Sequence, residues 1–207
     1  EVVELTAAGR LEQTLENDRV IKLVVKGRIH GKDIKCMRDL ITDGNLQAID
    51  LENAQIVTNS TYSYYKTYKT TANTMGECAF QGFKKLVSMK LPKGITSMGG
   101  DAFAYCGQLT SVLIGSKVSS MSQGVFYSSP VKDAYVLPTT PPSISSYLFS
   151  SNPTIHVYPS ALEKYQASSW ANFGTIVGDL TEDMVDGLDE LPEAETTDAE
   201  RWSTGDV

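Results

Sequence analysis

Ile95-Thr-Ser-Met98-Gly-Gly-Asp-Ala-Phe103-Ala-Tyr-Cys106-Gly-Gln-Leu109-Thr-Ser-Val112-Leu-Ile114 holds one complete copy of a pattern that recurs along this chain. The dipeptide Ala102-Phe103 has counterparts in Ala79-Phe80, Val125-Phe126 and Leu148-Phe149, so four Phe residues stand 23 positions apart. Five residues before each Phe lies Met75, Met98, Met121 or Ile144, a second apolar column with the same period. A third column follows. Leu109-x-x-Val112-x-Ile114 repeats as Leu86-x-x-Met89-x-Leu91 and as Val131-x-x-Ala134-x-Val136, the latter slipped by one residue at Ser129-Pro130. A degenerate copy reads Ile155-x-Val157. Alternation puts the last two apolar residues of each copy on one face of a short strand.

Moving outward, the same strand signature appears upstream without the Phe. Leu46-x-x-Ile49-x-Leu51 and Val20-x-x-Leu23-x-Val25 bring the total to about six rungs. Leu46 and Leu86 are 40 residues apart, one period plus 17, and the excess falls in a Tyr-rich insertion at 58–74. A repeat this small cannot bury its own apolar face. Stacking neighbours must place Phe over Phe and Leu over Leu to make a continuous core. The predicted fold is a leucine-rich-repeat solenoid, right-handed, with short parallel strands and mostly irregular return segments.

Such an array exposes its core at both ends unless capped. Residues 1–45 are predicted to form an N-terminal cap and the first rung. Thr6 is the candidate N-cap of a short helix carrying Leu11 and Leu15, stopped by Asn17-Asp18. A second helix, from Asp33 to Ile41, carries Ile34, Met37, Leu40 and Ile41 at helical spacing. At the other end, 158–178 reads as a C-terminal cap. Ser160 and Glu163 fit a capping box opening a short helix, and Trp170, Phe173, Ile176 and Val177 supply bulk over the last rung.

Charge divides the chain. Residues 1–178 hold 17 Lys/Arg against 14 Asp/Glu, a net of +3, whereas 179–207 hold one Arg against 11 acids, a net of −10. The boundary separates a repeat domain, 1–178, from an acidic tail or linker, 179–207. The near-neutral body lacks a Lys/Arg stripe, which argues against nucleic acid as a partner. The apolar run from Val20 to Val25 is strand-sized and broken by Lys22, far short of the roughly 18 residues that would argue for insertion of this segment in a membrane.

The repeat Ile95 to Val112 resembles the repeat unit of the BspA-like leucine-rich-repeat family of bacterial surface and secreted proteins. The stretches Pro141-Pro-Ser-Ile144, Ile155-His-Val-Tyr-Pro159 and Trp170-Ala-Asn-Phe173 are similar to the usual ending of its arrays, and Leu5 to Leu11 to their start. The resemblance spans about residues 1–178. It implies export, a location outside the cell or on its surface, and in some members adhesion to matrix proteins or other cells.

Candidate chemistry is thin. Cys36, Cys78 and Cys106 match no zinc or redox spacing and read as buried apolar side chains, with a Cys78–Cys106 bond left open. His30 precedes a helix start, read as a surface or turn position, and His156 falls between the inward Ile155 and Val157, so it faces outward. No metal-ligand, phosphate-loop or nucleophile-elbow motif is present, and the tail lacks a calcium-loop pattern. The expectation is a protein without catalytic residues, metal or cofactor. Binding candidates are of two kinds. One outward column reads Val24, Asp50, Lys90, Leu113, Tyr135, His156, and offers Leu113, Tyr135 and His156 as contacts. Its neighbour reads Lys22, Ala48, Ser88, Ser111, Asp133, Thr154. In the insertion, Tyr62, Tyr64, Tyr65 and Tyr68 present amphipathic rings suited to a protein surface or a sugar ring. The expected partner is an extracellular protein or glycan. The rival reading is a structural spacer with no ligand of its own, in which the Tyr rings pack back on the array.

Overall fold

The computed structural model describes residues 1–16 and 19–187. The strand signatures are parallel strands in register. β1 (Val2–Leu5), β2 (Lys22–Ile29), β3 (Ala48–Asp50) and β8 (Ser88–Lys90) pair side by side, and β4 (Ala54–Ile56) pairs the far half of β2. β10 (Ser111–Ile114), β12 (Asp133–Val136), β14 (Thr154–Val157) and β15 (Thr175–Val177) form a second parallel sheet. The pairing carries Val112 onto Ala134 and Ile155, and Ile114 onto Val136 and Val157, all buried. The one-residue slip before Val131 is thus absorbed ahead of the strand.

Two further columns close the repeats. The two-residue strands β7 (Thr74–Met75), β9 (Ser97–Met98), β11 (Ser120–Met121) and β13 (Ser143–Ile144) pair in parallel, placing Met75, Met98, Met121 and Ile144 in one row. On the remaining side the Phe column carries its own hydrogen bonds. Phe80, Phe103 and Phe126 donate their N–H groups to the Ala102, Val125 and Leu148 carbonyls, at 2.7, 2.8 and 3.1 Å. The rings follow the backbone. Successive centroids from Phe80 to Phe149 lie 5.7, 5.7 and 5.3 Å apart, with planes within 17° of parallel. Stacking at this separation adds about 0.5–1.5 kcal/mol per pair to simple burial. Gly99 sits where one repeat crosses close to the previous one. A Cβ there would lie 2.5 Å from the Glu77 nitrogen, so close backbone approach requires the glycine.

The N-terminal segment departs from expectation. Thr6 caps no helix. Residues 2–5 are strand, and the first helix, α1, is only Leu11–Thr14, preceded by Arg10 with no side-chain cap. Leu11 is buried as expected, Leu15 only partly, and the stop at Asn17-Asp18 lies outside the described residues. The second helix, α2, runs Gly31–Thr42 and starts earlier than predicted because His30 is its N-cap. His30 Nδ1 accepts from the Lys32 N–H at 3.2 Å, and the Asp33 carboxylate accepts from the His30 N–H at 2.9 Å, a reciprocal box. His30 is therefore a buried cap rather than a surface histidine. Asp33 also accepts from the Gly9 and Leu11 N–H groups, at 2.6 and 3.0 Å. This fully buried carboxylate ties the entry segment to α2.

The insertion is an antiparallel hairpin, β5 (Asn59–Tyr65) with β6 (Tyr68–Thr70), turning through Lys66 at positive φ. At the far end no capping box forms between Ser160 and Glu163. A 3₁₀ turn, Pro159–Ala161, leads into α3 (Leu162–Gln166) without a side-chain cap. Proline's fixed φ starts the turn instead. Tyr165 and Trp170 are fully buried edge to face, 5.4 Å apart, and donate to the Pro138 and Pro142 carbonyls. Ile176 and Val177, read as bulk, belong to β15 and extend the sheet. Beyond it, Leu180 is buried and α4 (Glu182–Gly187) follows. The acidic tail from 188 onward lies outside the described residues.

Two outcomes follow. Phe103→Ala removes the middle of the ring stack and should lower unfolding free energy by roughly 3–5 kcal/mol in urea titration. Asp33→Ala leaves two buried N–H groups and a half-buried one without an acceptor and should lower it by about 3 kcal/mol.

Candidate binding surfaces

The four tyrosines of the insertion do not form one open platform, because β5 packs along α2. Tyr64 is buried and its hydroxyl donates to the Glu77 carbonyl at 2.7 Å. Tyr65 lies against the Arg38 guanidinium, 4.3 Å from the ring centroid, and Arg38 in turn donates to the Cys78 and Ala79 carbonyls. Tyr68 donates to a Glu77 carboxylate oxygen at 2.8 Å, and that bond pushes its phenol up to about 12. Tyr62 alone of the four is exposed, stacked on His30 with Lys32 above its ring. Arg38 joins hairpin, helix and the first Phe-bearing turn, and its guanidinium also lies over Phe83. An aromatic-rich insertion beside a cationic helix position was the available signal, but Arg38 and Tyr65 are 27 residues apart in sequence.

The outward row on the second sheet is contiguous. Strand register puts Leu113 beside Tyr135 and Tyr135 beside His156. Tyr135 and His156 stack at 4.7 Å with planes 13° apart. The His156 ring lies between two carboxylates, Nδ1 2.9 Å from Asp179 and Nε2 3.4 Å from Asp133. Burial, with the nearby Asp133 and Asp179, raises the Tyr135 phenol. All three members of the row are half-buried, so the face is shallow and held by mutual contact. The upstream members, Val24, Asp50 and Lys90, share register with one another on the first sheet, but Lys90 is buried, as are Ala48 and Ser88 of the neighbouring column, so the outward reading fails at these positions.

A third surface was not anticipated. Tyr105, Tyr127 and Tyr147 are 48%, 38% and 51% exposed, and their rings touch in sequence at 5.8 and 5.5 Å. They are three of the five large apolar or aromatic side chains left exposed among the described residues. They stand at different places relative to Phe103, Phe126 and Phe149, so no fixed period marks them. Tyr105 reaches the strip from a left-handed backbone, φ +60°.

The thiols are unreactive in character. Burial pushes Cys36 and Cys106 up to about 12, and Cys78 upward as well. All three are free, and the Cys106 thiol donates to the Phe80 carbonyl at 3.1 Å. Among the described residues no group of three or more His, Cys, Asp or Glu side chains is placed to hold a metal ion, and no helix is long and apolar enough to cross a membrane.

Parallel ladders, 23-residue register and a stacked aromatic column define a leucine-rich repeat protein. The family model for the BspA type leucine rich repeat region matches residues 59–173 in six copies, and the chain belongs to that family. Repeats of this type are often involved in surface protein–protein interaction. No curated protein matches the chain.

Burial raises the phenols of Tyr64 and Tyr165 well above their ordinary 10.0. A raised native value means that stability is intact below pH 10 and is lost as pH rises beyond it, because unfolding exposes phenols that ionise more readily. An absorbance titration at 295 nm should show a late tyrosinate phase coincident with loss of circular dichroism. Tyr64→Ala should bring that unfolding to lower pH, while Tyr62→Ala should leave it in place.

Proposed function

We propose that this chain is a non-catalytic binding module of a secreted or surface-exposed bacterial protein, with the repeats forming a right-handed solenoid that serves as a rigid platform for an extracellular protein or glycan. In this reading β1, α1 and α2 close one end and the Tyr165–Trp170 region the other. An adhesive role is the specific form of that reading.

The observation that carries it is the strip of Tyr105, Tyr127 and Tyr147. Large amphipathic rings held in contact on a rigid frame supply binding area with little ordering cost. Contiguous exposed rings of this kind mark interaction sites. The Leu113–Tyr135–His156 row offers a second, more polar contact. The thiols are raised by burial and His30 is engaged as a helix cap, which commits these nucleophiles and this base to structure.

The spacer reading draws on one specific observation, the inward packing of Tyr64, Tyr65 and Tyr68, which makes the hairpin a brace. Both readings are separated by one experiment. The immobilised chain is presented to extracellular matrix proteins and a glycan array, beside a Tyr105→Ala/Tyr127→Ala/Tyr147→Ala variant and a Tyr135→Ala variant. The binding reading expects a captured ligand whose retention falls at least about tenfold in the triple variant. No capture would favour the spacer, and equal retention by all variants would move the ligand to another surface of the chain.

A further inference from the structure

The outward row is interrupted between the two sheets. β8 pairs with β3 and β10 with β12, but no ladder joins β8 to β10. Beside that break lies a groove of about 380 Å3. Its apolar walls include Leu91, Ile95, Leu113 and Leu137, and three of these leucines are only half-buried. Lys90, Lys93 and Lys117 also line it. Lys93 pairs with Glu52 at 2.8 Å, and the Lys90 ammonium lies 4.0 Å from Asp50.

One wall is contributed from the C-terminal side. Val185 and Asp186 of α4 line the same groove. Two contacts hold α4 there. The Leu180 N–H donates to the Val157 carbonyl at 3.1 Å, and the Tyr158 hydroxyl donates to Glu182 at 2.8 Å. The described residues therefore end at Gly187, two positions past a residue of the groove wall. The sequence continues Leu188-Asp189-Glu190-Leu191-Pro192-Glu193. That stretch holds two leucines and three carboxylates.

We propose that the groove is the docking site of this following segment, Leu188–Glu193, in the same chain. Reach does not limit it, since six residues span up to roughly 20 Å and the segment starts at the groove. Attachment through α4 gives the segment an effective concentration on the order of millimolar, which a second copy or a foreign peptide must exceed to displace it. Acid groups of the segment add to the existing Asp50 and Glu52 partners of Lys90 and Lys93, and Lys117 lies on the same rim. Leu113 belongs both to this groove and to the row with Tyr135. Docking therefore covers one end of that row, and a ligand using Leu113 competes with the chain's own acidic segment.

The test needs no external ligand, so its failure is distinguishable from failure of the binding role. The whole chain, mixed with an equal amount of isotope-labelled chain, is treated with a zero-length carbodiimide cross-linker and its peptides mapped by mass spectrometry. The expected products join Lys90, Lys93 or Lys117 to Asp189, Glu190 or Glu193 within one chain. Leu188→Asp/Leu191→Asp, which leaves the described residues untouched, should cut their yield at least about tenfold, the effect of losing two buried leucines. The same variant should speed amide hydrogen exchange across residues 90–93 and 115–118 while exchange in 101–106 is unchanged. Cross-links that join two chains would overturn the proposal in favour of a second copy as occupant. Links spread evenly to the more distal acids, no links, or a yield and exchange pattern unmoved by the double variant would overturn it outright.

Discussion

The face-to-face packing of Phe80, Phe103, Phe126 and Phe149 is the contact on which the remaining architecture depends. Phe103 and Phe126 are each stacked on both sides by the equivalent ring of the neighbouring repeats, and Phe80 and Phe149 on one side. No repeat can be dry by itself, so each one is stable only as part of the stack. Backbone hydrogen bonds between the same turns hold the residues that carry the rings in line. The methionine row and the strand rows then need only follow the period that the aromatic column sets.

A stack built this way has a first and a last ring, Phe80 and Phe149. At the start, Arg38 lies over Phe83 and binds the carbonyls of the first Phe-bearing turn, with the hairpin tyrosines behind it. A buried guanidinium is tolerable there because its donors meet carbonyl oxygens and its faces meet aromatic rings. Beyond the last repeat, the Tyr165–Trp170 pair is buried with both polar atoms satisfied by backbone. The exposed tyrosine strip and the Tyr135–His156 stack lie apart from these contacts.

The places where sequence reasoning missed share one cause. His30 is an unusual N-cap, and it works only because Asp33 returns the bond and because Gly9 leaves room for the imidazole, where a Cβ would lie 2.5 Å from the ring. Asp33 itself serves donors more than 20 residues away. Ser160 and Glu163 fit a capping pattern, but Pro159 forces a 3₁₀ turn before the box can close. Tyr105, Tyr127 and Tyr147 are spaced by 22 and 20 residues, off the repeat period, and meet because the turns carry them to one edge. Apart from the turn at Pro159, these features rest on partners beyond a local window.

The amino-acid sequence alone determined the repeat, its 23-residue register, the rows of Phe, Met and strand residues, and the order Leu113, Tyr135, His156 on the outward face. It could do so because periodic burial leaves a periodic trace. Tertiary structure alone decided that most of the hairpin rings turn inward, that Arg38 is their partner, that the sheet breaks between β8 and β10, and that three tyrosines off the period form a strip. Those features arise from contacts between segments unrelated by the repeat, and such contacts depend on how far each turn carries a side chain, a distance that residue order does not encode.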